Sequence, residues 1–275
     1  MPTGAPPFLA RLEHFERVAS TNDIVREWLA EGTAEVAVAV ADEQVAGRGR
    51  EGRSWAAPAG TALLVSLGFR PTYLLPERAW RLAAIVALAM ADAGEDHAGL
   101  RTGTIRLKWP NDLVIEDSFA IRKLAGILGE TEGLGSADPR AVVGIGVNAD
   151  WPASAYPAEL RDSMTSLREA SAGRPIDREA LLDGFLARLE TRLEALRGGR
   201  FDVAGWTERQ ATTGRVVRLE GPAGSAELVR ATGVDGASGA ILVEALDDRR
   251  RGIGAERAVL VGEVSHLRLP SAGEV

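Results

Sequence analysis

Gln44-Val45-Ala46-Gly47-Arg48-Gly49-Arg50-Glu51-Gly52-Arg53-Ser54-Trp55 is the stretch on which the fold turns, because Gly47 to Gly52 spells Gly-x-Gly-x-x-Gly. That pattern marks a dinucleotide site when a strand precedes it, a helix follows it and an acid sits about 20 positions on. A strand before it is plausible, since Val36 to Val40 alternates valine and alanine. The helix is missing. Ala56-Ala57-Pro58-Ala59-Gly60 reads as a turn and Thr61 to Phe69 as a strand, and arginines stand where small residues belong. The match is therefore accidental. What remains is either a mobile cationic loop that folds over an anion and stacks a flat ring on Trp55, or a solvated arginine-rich hairpin loop.

Composition narrows the partners. A chain of 275 residues suggests one large domain and one small one, and 45% hydrophobic residues supply a core. Lys and Arg number 32 against 39 Asp and Glu, a formal net charge of −7, so general attraction to nucleic acid or anionic lipid is disfavoured and any anion site must be local. The chain has no cysteine, which excludes disulfides, thiolate metal sites and cysteine nucleophiles and fits a reducing compartment. Met1 to Pro7 has neither the basic nor the apolar part of a secretion signal. The longest apolar run, Leu82 to Ala91, is about half the ~20 residues that span a bilayer. The expectation is a cytoplasmic protein without membrane contact.

Scarcity points to positions. Lys108 and Lys123 are the only lysines, Asn22, Asn111 and Asn148 the only asparagines, and Gln44 and Gln210 the only glutamines. A bias to arginine explains why lysine is rare. It does not explain where the two survivors sit, which fits sites needing a compact ammonium with three donors.

Along the chain, Glu13 to Val18 reads as a strand leading to Ser20-Thr21-Asn22-Asp23 and a helix through about Leu29. Ser20 with Asp23 has the form of a capping box. A helix begins near Pro76 and is apolar on nearly every side from Trp80 to Met90, as for burial against a sheet. Gly94 to Gly103 reads as a turn. Ile105 to Lys108 and Leu113 to Ile115 are strands about a Trp109-Pro110-Asn111-Asp112 turn. A hairpin turn at Glu116 to Ala120 leads into Arg122 to Glu130, where Gly126 allows close backbone approach. Ala141 to Asn148 is a strand with alternate glycines. Trp151 to Tyr156 reads as a surface loop. Asp177 caps a helix whose leucines recur at helical spacing up to Gly198-Gly199. Short strands at Arg215 to Glu220, Ala226 to Val234, Ala240 to Ala245 and Val259 to Leu269 form a small β-barrel or sandwich, with the domain boundary near Gln210. The whole predicts an α+β fold, a mixed and largely antiparallel sheet with helices against one face, as residues 1–209, followed by residues 210–275 as a small β domain.

Together these pieces resemble the biotin protein ligases. The resemblance rests on Ser20-Thr21-Asn22, on Gln44 with Gly47 to Trp55, and on Lys108-Trp109-Pro110-Asn111-Asp112. It rests equally on Lys123 to Leu128, Gly144 to Asn148 and the terminal Gly262-Glu263-Val264-Ser265, all in order from about residue 15 to 268. It implies a catalytic domain like those of class II aminoacyl-tRNA synthetases and an SH3-like C-terminal domain. It implies that biotin and ATP give biotinyl-5′-AMP and pyrophosphate, and that a lysine of a biotin carboxyl carrier domain of a biotin-dependent carboxylase then takes the biotinyl group. Some members carry an N-terminal DNA-binding module. Here about 12 residues precede the catalytic domain, so DNA binding is not expected; the assembly expected is monomer or homodimer.

The chemistry follows from the side chains. A carboxylate approaching the α-phosphorus of ATP needs cations to offset repulsion and the charge that develops there. Arg48, Arg50, Arg53 and Lys123 are available. By the resemblance, Arg48 and Arg50 serve the adenylate phosphate and the biotin side, and Lys123 lies between the biotin carboxylate and the α-phosphate. Lys123, Arg50 and Asp112 are the expected catalytic residues. Mg²⁺ would sit mainly on the phosphates, with Asp112 orienting a metal-bound water or receiving a proton from the acceptor amine. Trp55 offers a face for adenine, and Asn111 and Asn148 polar groups for nucleotide or ribose. Ser20, Thr21, Asn22 and Gln44, with Gly47 and Gly126 allowing close approach, supply donors and acceptors for the ureido ring of biotin. The rivals are a lipoate or octanoate ligase, whose substrate has no ureido group, and a non-catalytic biotin or adenylate sensor. Gln44 and the arginine loop favour biotin; Lys123 with the loop arginines favours catalysis. The loop then reads as a lid, mobile through its glycines and ordered on biotinyl-AMP by its arginines.

Overall fold

Valine alternating with alanine along the central strands makes a sheet with one bulky and one small-residue face, and each face takes a different cover. The computed structural model describes residues 6–117, 120–221, 225–247, 252–260 and 263–266. Its large sheet contains β1 (Arg11–Val18), β2 (Ala37–Gln44), β3 (Ala62–Phe69), β4 (Ile105–Lys108), β5 (Asp112–Glu116), β6 (Ile121–Glu132) and β7 (Arg140–Asn148). The order is β1-β2-β3-β7-β6-β5-β4, with β1 and β2 parallel and the other neighbours antiparallel. The glycine loop thus joins two antiparallel neighbours, β2 and β3, and no crossover helix follows it.

Among the described residues five α-helices accompany this sheet: α1 (Thr21–Ala30), α2 (Trp80–Ala98), α3 (Leu167–Ala170), α4 (Arg178–Arg197) and α5 (Val203–Glu208). Val38 and Val40, with Leu63, Val65, Leu67 and Ile145, bury one face against α2 and α4. Fully burying a side chain of this size contributes about 1.5–3 kcal/mol. The expectation that helices lie against one face needs correction. Val25, Trp28 and Leu29 of α1 cover Ala37, Ala39 and Val142 on the opposite face. Small residues permit it: a Cβ on Gly68 would stand 2.7 Å from Val25 Cγ1.

Local readings also change. Ser20 is the residue before α1, but its side chain makes no capping hydrogen bond, and the Asp23 carboxylate is engaged by Arg26 and Arg48. Asp177 does cap α4, accepting from the backbone N–H of Glu179 and Ala180. Gly94 is no turn residue: α2 runs to Ala98 and ends on Gly99 in the left-handed region (φ 62°). Gly94 is small because a Cβ there would lie 2.9 Å from Ile105 Cδ1. Trp151 to Tyr156 is not a surface loop, since Trp151, Tyr156 and Met164 form their own buried cluster. Residues 118–119 of the Glu116 to Ala120 turn and 1–5 of the N-terminus lie outside the described residues.

A second, antiparallel sheet comprises β8 (Val216–Glu220), β9 (Ala226–Val234), β10 (Ile241–Leu246), β11 (Gly252–Val259) and β12 (Glu263–His266), ordered β11-β10-β9-β8-β12. The single strand expected over Val259 to Leu269 is the end of β11 and, after a break, β12; Gly262 and residues 267–269 lie outside the described residues. Val217, Leu219, Val229, Ile241 and Val243 form its core together with Trp109, which reaches in from the turn between β4 and β5. Trp109 Nε1 donates to Gly239 O at 3.1 Å. The chain enters this sheet stitched to edge strand β4, with Leu107 N donating to Arg209 O (2.8 Å) and Ala211 N to Leu107 O (2.7 Å). Buried Glu95 holds that crossing, accepting from Arg209 Nη1 at 2.9 Å and from Ile105 N at 2.8 Å. Among the described residues no helix is long and apolar enough to cross a membrane.

Candidate active site

The small-residue face of the sheet is left open beyond α1, and its glycines hollow the floor of a cleft. Gly126 and Gly146 are register partners on β6 and β7, and Gly144 partners Ser66 of β3. A Cβ on Gly144 would collide with Asn22 Oδ1. On Gly146 it would stand 2.5 Å from Trp55 Cε2, and on Gly126 3.2 Å from Trp55 Cζ3. The alternate glycines therefore let Asn22 and the Trp55 indole approach the strands closely. Trp55 Nε1 is shielded from solvent without a hydrogen-bond partner.

One end of the cleft is neutral and polar. Thr21 N donates to Gln44 Oε1 at 2.8 Å, and Thr21 Oγ1 lies 3.1 Å from that oxygen and 2.6 Å from Ser66 Oγ. Ser66 Oγ is 2.5 Å from Asn22 Oδ1, and Asn22 Nδ2 donates to Glu130 Oε2 at 2.6 Å. Thr21, Asn22 and Ser66 are all buried, where unpaired polar groups are costly, and this chain of contacts is what satisfies them; Ser20 is buried beside them.

The other end is cationic. The arginine loop is a small hairpin closed by Gly49 N to Arg53 O (2.7 Å) and Trp55 N to Gly47 O (2.9 Å), and it turns at Glu51 (φ 55°) and Gly52 (φ 73°). Arg50 and Arg53 line the cleft. Arg48 is anchored to the first turn of α1, donating to both oxygens of Asp23 at 2.8 and 2.7 Å. The Arg48 bond, ahead of the weaker pull of Arg26, holds the Asp23 carboxyl down at about 2.

Lys123 is aimed by a register break between β5 and β6 at Leu113 and Val114. Its backbone is fixed from outside the sheet, Lys123 N donating to Ser163 O (2.7 Å) and Thr165 N to Lys123 O (2.9 Å). Lys123 Nζ lies 5.6 Å from the centroid of the Trp55 ring and 2.7 Å from Asp112 Oδ1. That approach is off a hydrogen-bonding direction, so Asp112 Oδ1 is a solvent-shielded oxygen with no aligned donor. Asn111 is tied to β6 by Nδ2 to Ile127 O and by its carbonyl from Ile127 N, both 2.9 Å.

The structure thus gathers Ser20, Thr21, Asn22, Gln44, Arg48, Arg50, Arg53, Trp55, Asn111, Asp112, Lys123 and Gly126 around one cleft. Two predicted residues fall elsewhere. Gly47 is buried behind the loop, where a Cβ would stand 2.5 Å from Trp55 O. Asn148 is turned toward a neighbouring cleft it shares with Trp55, Lys123, Trp151 and Met164, and its amide donates to Thr165 O at 2.9 Å. Sequence reasoning missed Ser66, Glu130 and Asp23, and it singled out Lys108, which also lines the cleft, without giving it a role. Ser66 carries a signal, a lone hydroxyl in the otherwise apolar run Ala62 to Leu67; the two acids carry none, because only the fold brings them to Asn22 and Arg48.

Residues 14–148 match the biotin/lipoate A/B protein ligase family. The chain is 30% identical over 269 residues to the biotin--[acetyl-CoA-carboxylase] ligase of Mycobacterium tuberculosis, covering 96% of this chain and 92% of that one. It is 33% identical over 181 residues to the bifunctional ligase/repressor BirA of Bacillus subtilis, covering 66% of this chain and 53% of that one, so it spans about half the length of such two-function relatives. A biotin protein ligase from Aquifex aeolicus, solved in complex with biotin and ATP, superposes with a TM-score of 0.73 at 27% identity, covering 94% of this chain and 99% of that one. A relative aligned over nearly the whole of both sequences, with the family match across the large sheet, shows that this chain belongs to the biotin/lipoate A/B protein ligase family.

Proposed function

We propose that the chain is an ATP-dependent biotin–protein ligase. The observation that carries this reading is the division of one cleft into a neutral end built on Thr21, Asn22, Gln44 and Ser66 and a cationic end bearing Arg50, Arg53 and Lys123. Biotin has the matching halves, an uncharged ureido ring and a carboxylate. A purely aliphatic acid offers that polar end neither a donor nor an acceptor. The relatives named for biotin–carboxylase ligation and the neighbour solved with biotin and ATP support the same substrates.

In the first step a biotin carboxylate oxygen attacks the α-phosphorus and pyrophosphate leaves. Lys123 and the loop arginines offset the charge on the phosphorus oxygens. In the second step the amine of a carrier-domain lysine attacks the acyl carbon and AMP leaves, with Lys123 stabilising the carbonyl oxygen. Mg²⁺ bound on the phosphates would supply further charge compensation. The fit is through Asp112, whose solvent-shielded Oδ1 without an aligned donor suits either a metal-bound water or the proton of the acceptor amine. Trp55, with Asn148 and Met164 in the adjoining cleft, offers a stacking surface for adenine.

Around this centre, residues 1–209 serve as the catalytic domain, on a class II synthetase-like plan, and residues 210–275 as an SH3-like domain. The acceptor is the biotin carrier domain of a carboxylase, the compartment the cytoplasm, and the assembly monomer or homodimer. The arginine loop acts as a lid that shields the mixed anhydride from water. The test is pyrophosphate exchange into ATP with biotin, lipoate or octanoate added singly. Exchange with biotin alone is expected; exchange with lipoate or octanoate only, or with none, would remove the reading.

A further inference from the structure

Glu130 lies 2.6 Å from Asn22 Nδ2 at the far end of the polar chain, with Arg26 Nη2 2.9 Å from the same carboxylate oxygen. Glu130 and Ser66 together decide a question of protons. A carboxylate only accepts, so the side of Asn22 that faces Glu130 must be its NH₂, and its Oδ1 must face Ser66. At 2.5 Å that oxygen requires the single Ser66 proton. Ser66 is then an acceptor toward Thr21, and the 2.6 Å contact takes the single Thr21 proton. Gln44 cannot supply one to Thr21, because its Oε1 is the atom that accepts from Thr21 N at 2.8 Å.

Thr21 Oγ1 and Gln44 Oε1 therefore stand 3.1 Å apart at the cleft with no proton left between them. We infer that Glu130 and Ser66 are positioning residues for specificity: they fix the direction of every hydrogen bond in the chain, so that Thr21 and Gln44 present paired acceptors and select a ligand carrying a neutral N–H donor. This rests on the proposed biotin reading and deepens it, since the ureido N–H is then the atom group recognised. Ser66 and Glu130 act through Thr21 and Asn22.

The test is calorimetric binding to the full chain of two probes, biotin and its cyclic carbonate analogue, in which oxygens replace both ureido N–H groups at nearly unchanged shape. Wild type should bind the carbonate at least about a hundredfold more weakly, since its oxygens meet two acceptors. Ser66→Ala returns the Thr21 proton to the Gln44 side, and Glu130→Gln allows the Asn22 amide to reverse. Each should narrow the gap between the two probes by about tenfold, the weight of one neutral hydrogen bond, while Ser66→Thr keeps the hydroxyl and the gap. A merely structural role would weaken both probes equally and leave their ratio unchanged. An unchanged ratio in both Ser66→Ala and Glu130→Gln, with wild type binding biotin, would overturn the inference alone. Failure of wild type to bind biotin would overturn the functional reading and this inference with it.

Discussion

Replacing Trp109 by alanine should damage a sheet more than a hundred residues away in sequence. Trp109 is 5% exposed, and its indole completes a core whose other buried members, Val217, Leu219, Val229, Ala231, Ile241 and Val243, are aliphatic or small. Truncating a buried tryptophan to alanine removes about 3–5 kcal/mol, and more when neighbours on a hydrogen-bonded sheet cannot collapse into the space. The substitution also leaves Gly239 O without the 3.1 Å bond from Nε1. Trp109→Phe separates the two effects, because it keeps most of the apolar body and loses the bond. That variant should lose only about 1–2 kcal/mol. The assay is urea unfolding of the full chain for each variant, with pyrophosphate exchange measured at denaturant-free conditions where both remain folded. Asn111 and Asp112 ride on the same turn, so exchange should fall in folded Trp109→Ala and be largely kept in Trp109→Phe. A destabilisation below about 1 kcal/mol in Trp109→Ala, or normal exchange in the folded variant, would refute the idea that this tryptophan seats the turn in the second sheet.

Two further perturbations test single contacts. Lys123→Ala should unfold like wild type yet lose about 10²- to 10³-fold in ligation rate, measured by transfer of labelled biotin to a carrier domain; normal turnover would remove Lys123 from the chemistry. Asp23 is held at about 2, below its ordinary 3.8, so its ion pair with Arg48 adds stability above about pH 3.8 and loses it as pH falls through about 2. With both side chains 38% exposed the contribution is under about 1 kcal/mol. Asp23→Asn should lower the unfolding temperature slightly near neutrality, and the difference from wild type should vanish toward pH 2; a difference that grows on acidification would contradict the pairing.

The strands were legible because their periodicity is local, and the second sheet because glycine turns separate its short apolar runs. What failed was legible only in three dimensions. α1 crosses to the other face because Ala37, Ala39 and Gly68 leave room for it, and nothing in a one-dimensional pattern says on which side a short amphipathic helix will land. Gly94 reads as a turn but serves helix packing against Ile105. Trp151 and Tyr156 sit among prolines that suggest a surface, yet Met164 and the Ser166 hydroxyl, 2.8 Å from Tyr156 Oη, draw them inward. The residues that line the cleft stand out in the sequence because their types are chemically unusual for this chain: two lysines, three asparagines, a glutamine at the loop. Acids are common here, so Asp23 and Glu130 gave no such signal.

Those two acids change what the arginine loop can be. Read alone, its arginines are three equivalent cations for a phosphate. In the fold Arg48 already forms a two-pronged, charge-assisted pair with Asp23 and lies 3.7 Å from Glu130, a geometry about twice as strong per bond as a neutral one. An arginine held so is an anchor before it is a ligand cation, and moving it onto a phosphate would leave Asp23 with Arg26 alone, 2.6 Å away. Lys123 Nζ likewise lies 2.7 Å from Asp112 Oδ1 and Arg53 Nη2 3.4 Å from Glu51 Oε2, so each of these cations meets an acid of its own chain before any phosphate. Arg48 fixes the loop to α1, beside the Glu130 carboxylate that orders the polar end. In the proposed reading, the position of the arginine loop and recognition of the ligand's uncharged end would thereby be joined at one acidic pair, in a chain whose net charge is −7.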